Sequence, residues 1–226
     1  MNNDLLIKIC GITNLDDALC ACDNGVSAIG FIRYPKSKRF IDNKKIYNIN
    51  NKLTDLYPTV KRVGVFVNSD HFDMVETFYS GVNIAQFHGY ESDDYINKIS
   101  LLIKDKLYNE KITKWKVIKP KSEDDIKKYI NCNVDMFLID TFDEKLYGGT
   151  GQTINFDLAK KIIKVISKPT ILAGGITPDN IIEAIINTSP YGIDLSSGVE
   201  ENPGCKDHKL ILRLFKTLKE AGYNIL

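Results

Sequence analysis

An apolar, strand-like run followed by a segment of helical periodicity recurs eight times along the 226 residues, at intervals of roughly 25 to 30. Few architectures accommodate that alternation. Each crossover helix returns the chain to the same end of the sheet, so the strands must run parallel. Eight such units are enough to close the sheet on itself, which predicts a single-domain (β/α)8 TIM barrel of the α/β class over residues 1–226. The rival is a doubly wound open sheet. Its dinucleotide signature G-x-G-x-x-G is missing from the first strand-to-helix turn, where Cys10-Gly11-Ile12-Thr13 stands instead.

The predicted strands are Leu5–Cys10, Ser27–Arg33, Arg62–Val67, Val82–Phe87, Trp115–Ile118, Met136–Asp140, Pro169–Ala173 and Gly192–Leu195. The third is nearly continuous in apolar residues, as a parallel strand buried on both faces should be. Helices are expected from Asn14 to Gly25, from Asp42 to about Asn51, after a cap at Asn68 or Ser69, and from Tyr95 to about Leu107. Four more follow, at Ser122–Ile130, Phe156–Ile166, Asn180–Ile186 and Lys206–Leu218. The last carries Leu210, Ile211, Leu214, Phe215 and Leu218 on one stripe. The polar stretch Lys104–Lys114 reads as a helix end and a surface loop, and Tyr147–Gly151 as either a mobile lid or a wide turn.

Two strand ends share a further pattern. Leu172-Ala173-Gly174-Gly175 and Leu195-Ser196-Ser197-Gly198 each break from an apolar run at glycine just before helix-start signals, so backbone N–H groups converge on one spot suited to a phosphate. Thr177 is a plausible N-cap in the first copy, with Pro178 at the first helical position. Loops seven and eight bind phosphate in barrels of this kind.

Composition narrows the partners. A hydrophobic fraction of 43% supplies one sizeable core, and a net charge of +1 provides no broad field for nucleic acid or an acidic membrane. No apolar run approaches the ~20 residues of a membrane helix, and no leader is evident, which predicts a soluble cytoplasmic protein. The five cysteines, Cys10, Cys20, Cys22, Cys132 and Cys205, are expected as free thiols, and the three histidines lack ligand spacing, so no metal site is expected.

In a barrel the reactive residues stand at the carboxyl ends of strands. The polar candidates there are Cys10, Arg39, Gln86, His88, Asp140, Asp194 and Ser197, beside the Gly174-Gly175 and Ser197-Gly198 turns. Cys10 and Asp140 face one another across the mouth and suggest a base and an acid. Lys8, two residues before Cys10 on the same face, would favour a thiolate, and partial burial would keep Asp140 protonated. The plainer alternatives are an inert core cysteine and a loop-capping aspartate. Arg39 presents a fork that fits a carboxylate, or is one more surface cation in Lys36-Ser37-Lys38-Arg39. His88 serves either a ligand or its own loop.

Seven segments in order, Lys8–Thr13, Tyr34–Arg39, Val63–Asn68, Gln86–Gly89, Asp140–Gly151, Leu172–Gly175 and Asp194–Glu200 with Pro203–Asp207, resemble the phosphoribosylanthranilate isomerases of tryptophan biosynthesis. The likeness spans essentially the whole chain. It departs at Phe87, where the family usually has Leu, at Leu158, where it often has Trp, and in the length of Lys104–Lys114. It implies a cofactor-independent Amadori rearrangement of N-(5-phosphoribosyl)anthranilate, with Cys10 as general base and Asp140 as general acid. It further implies that Arg39 holds the anthranilate carboxylate, the Gly174-Gly175 and Ser197-Gly198 turns the phosphate, and Asp194 a sugar hydroxyl, with Gln86 and His88 among the substrate contacts. A phosphorylated small molecule is the expected partner, and a monomer or homodimer the expected state. Indole-glycerol-phosphate synthases and ribulose-phosphate epimerases, which share the phosphate loops, want strand-end lysines with glutamates or metal-ligating histidines that this chain lacks. A barrel retained as a ligand sensor would have no need of both Cys10 and Asp140.

Overall fold

The computed structural model describes residues 4–106, 112–129, 131–140 and 155–226. Eight parallel strands form a closed ring: β1 (Asp4–Cys10), β2 (Ala28–Ile32), β3 (Lys61–Phe66), β4 (Ile84–Phe87), β5 (Thr113–Ile118), β6 (Met136–Asp140), β7 (Thr170–Ala173) and β8 (Gly192–Leu195). Each pairs with the next, and β8 closes on β1 through the register Leu6↔Gly192, Ile7↔Ile193 and Lys8↔Asp194. Seven helices surround the ring among the described residues: α1 (Leu15–Asp23), α2 (Asn43–Leu56), α3 (His71–Tyr79), α4 (Asp93–Lys106), α5 (Phe156–Val165), α6 (Ile181–Thr188) and α7 (His208–Glu220). A hairpin of β9 (Glu200–Asn202) and β10 (Cys205–Lys206) follows β8, and β11 (Asn224–Ile225) lies beside the start of β1.

The helices begin where side chains cap them. Asn14, Asp42, Asp70, Asn155 and Asp207 each accept hydrogen bonds from the first turn of the helix they precede. Three local expectations give way. The cap of α3 is Asp70, because Asn68 adopts a left-handed φ of 49° and its amide oxygen accepts from Tyr90 N–H instead. Helix α6 starts after Asn180; Thr177 still receives a hydrogen bond from Asp179 N–H at 3.2 Å, but within a preceding turn. The crossover at Ser122 is a 3-10 segment, Glu123–Lys128. It offers only Ile126 to the core, and its Lys127–Asp124 and Lys128–Asp125 pairs span three residues, the spacing at which side chains eclipse in a 3-10 helix. Of the polar stretch Lys104–Lys114, residues 104–106 end α4, Ile112 precedes β5 and 113–114 begin it; 107–111 lie outside the described residues, as does Tyr147–Gly151, the lid or wide turn.

Strand alternation sorts the apolar residues into two cores. Ile7, Ile9, Ile29, Phe31, Phe66, Phe87, Phe137, Ile139, Leu172 and Ile193 point outward and pack under the helices. The stripe of α7 meets them with Ile211, Leu214, Phe215 and Leu218, while Leu210 is only partly buried. Leu6, Cys10, Ala28, Val63, Val65, Ile84, Trp115, Val117, Leu138, Ile171 and Ala173 fill the ring itself. The same period of two places Lys8, Gln86, Asp140 and Asp194 among the inward-facing set.

Candidate active site

A cavity of about 510 Å³ opens at the carboxyl ends of the strands. Cys10, Arg39, Gln86, His88, Asp140, Gly174, Gly175, Asp194, Ser197 and Gly198 all line it, so every polar residue and glycine turn singled out in the sequence converges on one space. Ile32, Val65, Leu138, Ala173 and Ile176 supply its apolar wall. Asp140 and Cys10 come from strands three positions apart around the ring, and one cavity receives both side chains.

The floor is charged. Lys8 is completely buried, and its ammonium donates to both carboxylate oxygens of Asp194 at 2.9 Å. Burial works against the Lys8 charge, but the Asp194 carboxylate and the neighbouring Cys10 outweigh it and push its pKa up. Burial conversely pushes Asp194 up while Lys8 pulls it down. Two short contacts to both oxygens are the geometry of a charged pair, and we read it so. Cys10 sits beside this pair, its sulfur facing Gly30, where an added β carbon would lie 2.8 Å from Sγ and 3.0 Å from Lys8 Nζ. Burial pushes the Cys10 thiol up; Lys8 and Lys206 pull it down without reversing the shift. Lys8 therefore stands where the sequence placed it, with its charge engaged by Asp194.

On the opposite wall Asp140 is 15% exposed, with Lys119 Nζ at 3.4 Å and His88 Nε2 at 3.6 Å from its Oδ2. Gln86 is 1% exposed, and its Oε1 meets no hydrogen-bond donor among the described residues.

The two glycine turns interlock. Gly174 and Gly175 take φ of 94° and 66°, which side chains with a β carbon rarely adopt. Gly198 lies within a 3-10 turn, Ser197–Val199, whose backbone presses on the first turn so closely that a β carbon would fall 1.8 Å from Ile176 O. Arg39 is not free: its Nε and Nη2 are gripped by both oxygens of Glu200. Among the described residues no cluster of three or more His, Cys, Asp or Glu side chains could hold a metal ion. None of the five cysteines is in a disulfide.

Residues 7–217 match the family model described as N-(5'-phosphoribosyl)anthranilate (PRA) isomerase. The chain belongs to the PRA isomerase family. It is 38% identical over 213 residues to the N-(5'-phosphoribosyl)anthranilate isomerase of Aquifex aeolicus, covering 94% of this chain and 98% of that one. Among solved structures, the phosphoribosyl anthranilate isomerase of Thermotoga maritima superposes with a TM-score of 0.82 at 35% identity, covering 96% and 99% of the two chains. A phosphoribosyl anthranilate isomerase in complex with reduced 1-(o-carboxyphenylamino)-1-deoxyribulose 5-phosphate superposes with a TM-score of 0.78 at 34% identity, over 96% and 99%.

Within this PRA isomerase framework, four polar residues join the site whose partners the sequence does not name, three of them within the segments that carry the family resemblance. Ser196 reads as a turn residue beside Ser197, yet it lines the cavity. Lys119 reads as a surface lysine. Glu200 and Lys206 stand in a short hairpin and find their partners, Arg39 and the carbonyl of Cys10, 161 and 196 residues away. Charge spacing along the chain cannot disclose such pairs.

Proposed function

We propose that this chain isomerises N-(5'-phosphoribosyl)anthranilate to 1-(o-carboxyphenylamino)-1-deoxyribulose 5-phosphate, the Amadori step of tryptophan biosynthesis, with Asp140 as general acid and Cys10 as general base. The observation that carries this reading is the meeting of Cys10 and Asp140 in the cavity walled by the two glycine turns. With the phosphate at Gly174-Gly175 and Ser197-Gly198, the sugar spans the space between sulfur and carboxyl. Asp140 protonates the ring oxygen, the C1–O bond breaks, and the nitrogen lone pair forms an iminium at C1. Cys10, as thiolate, takes the proton from C2; the C–H electron pair becomes the C1–C2 double bond and the iminium becomes an enolamine. Ketonisation at C2 with protonation at C1 completes the rearrangement, with no net oxidation.

The surroundings support each role. Lys119 Nζ, 3.4 Å from Asp140 Oδ2, is placed to stabilise the carboxylate left when Asp140 gives up its proton. Asp194, anchored by Lys8, offers an acceptor for sugar hydroxyls, and Gln86 lines the same cavity. Arg39 lines the cavity where an aromatic carboxylate would reach it. The decisive experiment is turnover of phosphoribosylanthranilate by the purified protein and by Cys10→Ala and Asp140→Asn. Each substitution should lower kcat by ~10²- to 10⁴-fold with the circular dichroism spectrum unchanged. Near-normal turnover in either variant removes that residue from its role.

A further inference from the structure

Three charges form a chain from the cavity wall into the β9–β10 hairpin, and the proposed chemistry leaves two of them without a task. Arg39 Nε donates to Glu200 Oε1 and Oε2 at 2.8 and 3.0 Å, and Arg39 Nη2 donates to Oε2 at 2.6 Å. Lys206 Nζ donates to Glu200 Oε1 at 2.8 Å, to the carbonyl of Cys10 at 2.6 Å and to that of Ser196 at 3.3 Å. Gly204 N–H adds a bond to Oε1 at 3.2 Å. The Glu200 and Lys206 side chains are 4% and 0% exposed, whereas Arg39 keeps 24%. Burial works to push Glu200 up, but Arg39 and Lys206 overcome it and hold the carboxyl below its ordinary range.

A guanidinium has five N–H donors in one plane. Glu200 takes the edge formed by Nε and one Nη2 hydrogen. The edge formed by Nη1 and the second Nη2 hydrogen remains, and it is a complete two-pronged fork for a carboxylate. The arginine stem cannot swing that fork aside on the strand-one side. Gly11 lies directly against it, so that a β carbon at Gly11 would come within 2.8 Å of Arg39 Cδ. Lys206 ties the whole clamp to the end of β1, the strand that carries Cys10.

We propose that Glu200, anchored by Lys206, is a positioning residue that fixes the outer edge of Arg39 toward the substrate carboxylate and so sets the preference for a carboxylated aromatic amine. The inference rests on the reading of Arg39 as the carboxylate ligand given above. Glu200 touches no reacting atom; it acts through Arg39. Preorganisation of this kind is felt as selectivity between substrates with and without the group being gripped.

The test compares kcat/KM for phosphoribosylanthranilate with that for the phosphoribosylaniline lacking the carboxylate, in the wild type, Glu200→Gln, Arg39→Ala and the double variant. The ratio does not depend on how much of each preparation is folded. Glu200→Gln should reduce the ratio by about tenfold, Arg39→Ala by more, and the double variant no further than Arg39→Ala alone. Glu200→Asp, which keeps the charge but withdraws it by one methylene, should fall between the wild type and Glu200→Gln. An unchanged ratio in Glu200→Gln beside a reduced ratio in Arg39→Ala overturns the positioning role and leaves the reading of Arg39 standing. Multiplying effects in the double variant do the same. An unchanged ratio in Arg39→Ala overturns both.

Discussion

Replacing Gly198 by Ala should separate phosphate binding from the rest of the reaction. The new β carbon would lie 1.8 Å from Ile176 O, 2.8 Å from the attached carbon and 3.1 Å from Thr177 Cα. An ordinary C···O contact is ~3.3 Å, so the turns after β7 and β8 must part by about 1.5 Å. A hydrogen bond of ~2.9 Å stretched by that amount is lost. A bond to a charged group is worth ~1.5–3 kcal/mol, so losing one phosphate contact should raise KM by about 10- to 150-fold. Because Cys10 and Asp140 sit on other strands, kcat should fall by less. Steady-state kinetics with phosphoribosylanthranilate measures both constants, and KM is independent of the fraction of active enzyme. Inorganic phosphate, a competitive inhibitor of the wild type on this reasoning, should weaken in parallel. A KM within twofold of the wild type would show that the interlocked turns do not form the phosphate cradle.

Two further outcomes follow from the buried charges. Lys8→Met leaves the Asp194 carboxylate in the ring without its partner and should cost ~3–5 kcal/mol in urea denaturation, much of it regained in Lys8→Met/Asp194→Leu; a wild-type midpoint in the single variant would argue that the pair contributes no charge pairing. Burial pushes the Cys10 thiol up, so its ionised form grows as pH rises; the rate at which iodoacetamide alkylates Cys10, followed at that residue by mass spectrometry, should climb through the alkaline range, and a rate already at its plateau at pH ~7 would refute the upward shift.

What the sequence disclosed and what it withheld divide along range. Strand alternation is local, and from it follow the inward positions of Cys10, Gln86, Asp140 and Asp194 and the order of the eight strands. Glycine turns are local too, which is why the Gly174-Gly175 and Ser197-Gly198 pair is legible in the sequence alone. The crossover expected as a helix over Ser122–Ile130 forms a 3-10 segment, Glu123–Lys128, with Ile126 as its buried residue. The surroundings of Cys10 are long-range. A lysine two residues away reads as a field on the thiol, but its carboxylate partner arrives 186 residues later and the surrounding apolar wall does the rest.

That late partner also bears on how the ring is assembled. Lys8 enters the protein interior with the first strand, yet the group that neutralises it belongs to the last, so any partial barrel lacking β8 must either strand an ammonium in hydrocarbon or leave its seam wet. Closure across such a separation is slow to find and, once found, hard to undo piecemeal. The joint that seals the cylinder lies directly beneath the sulfur, so the chain acquires its reactive centre at the moment it becomes whole.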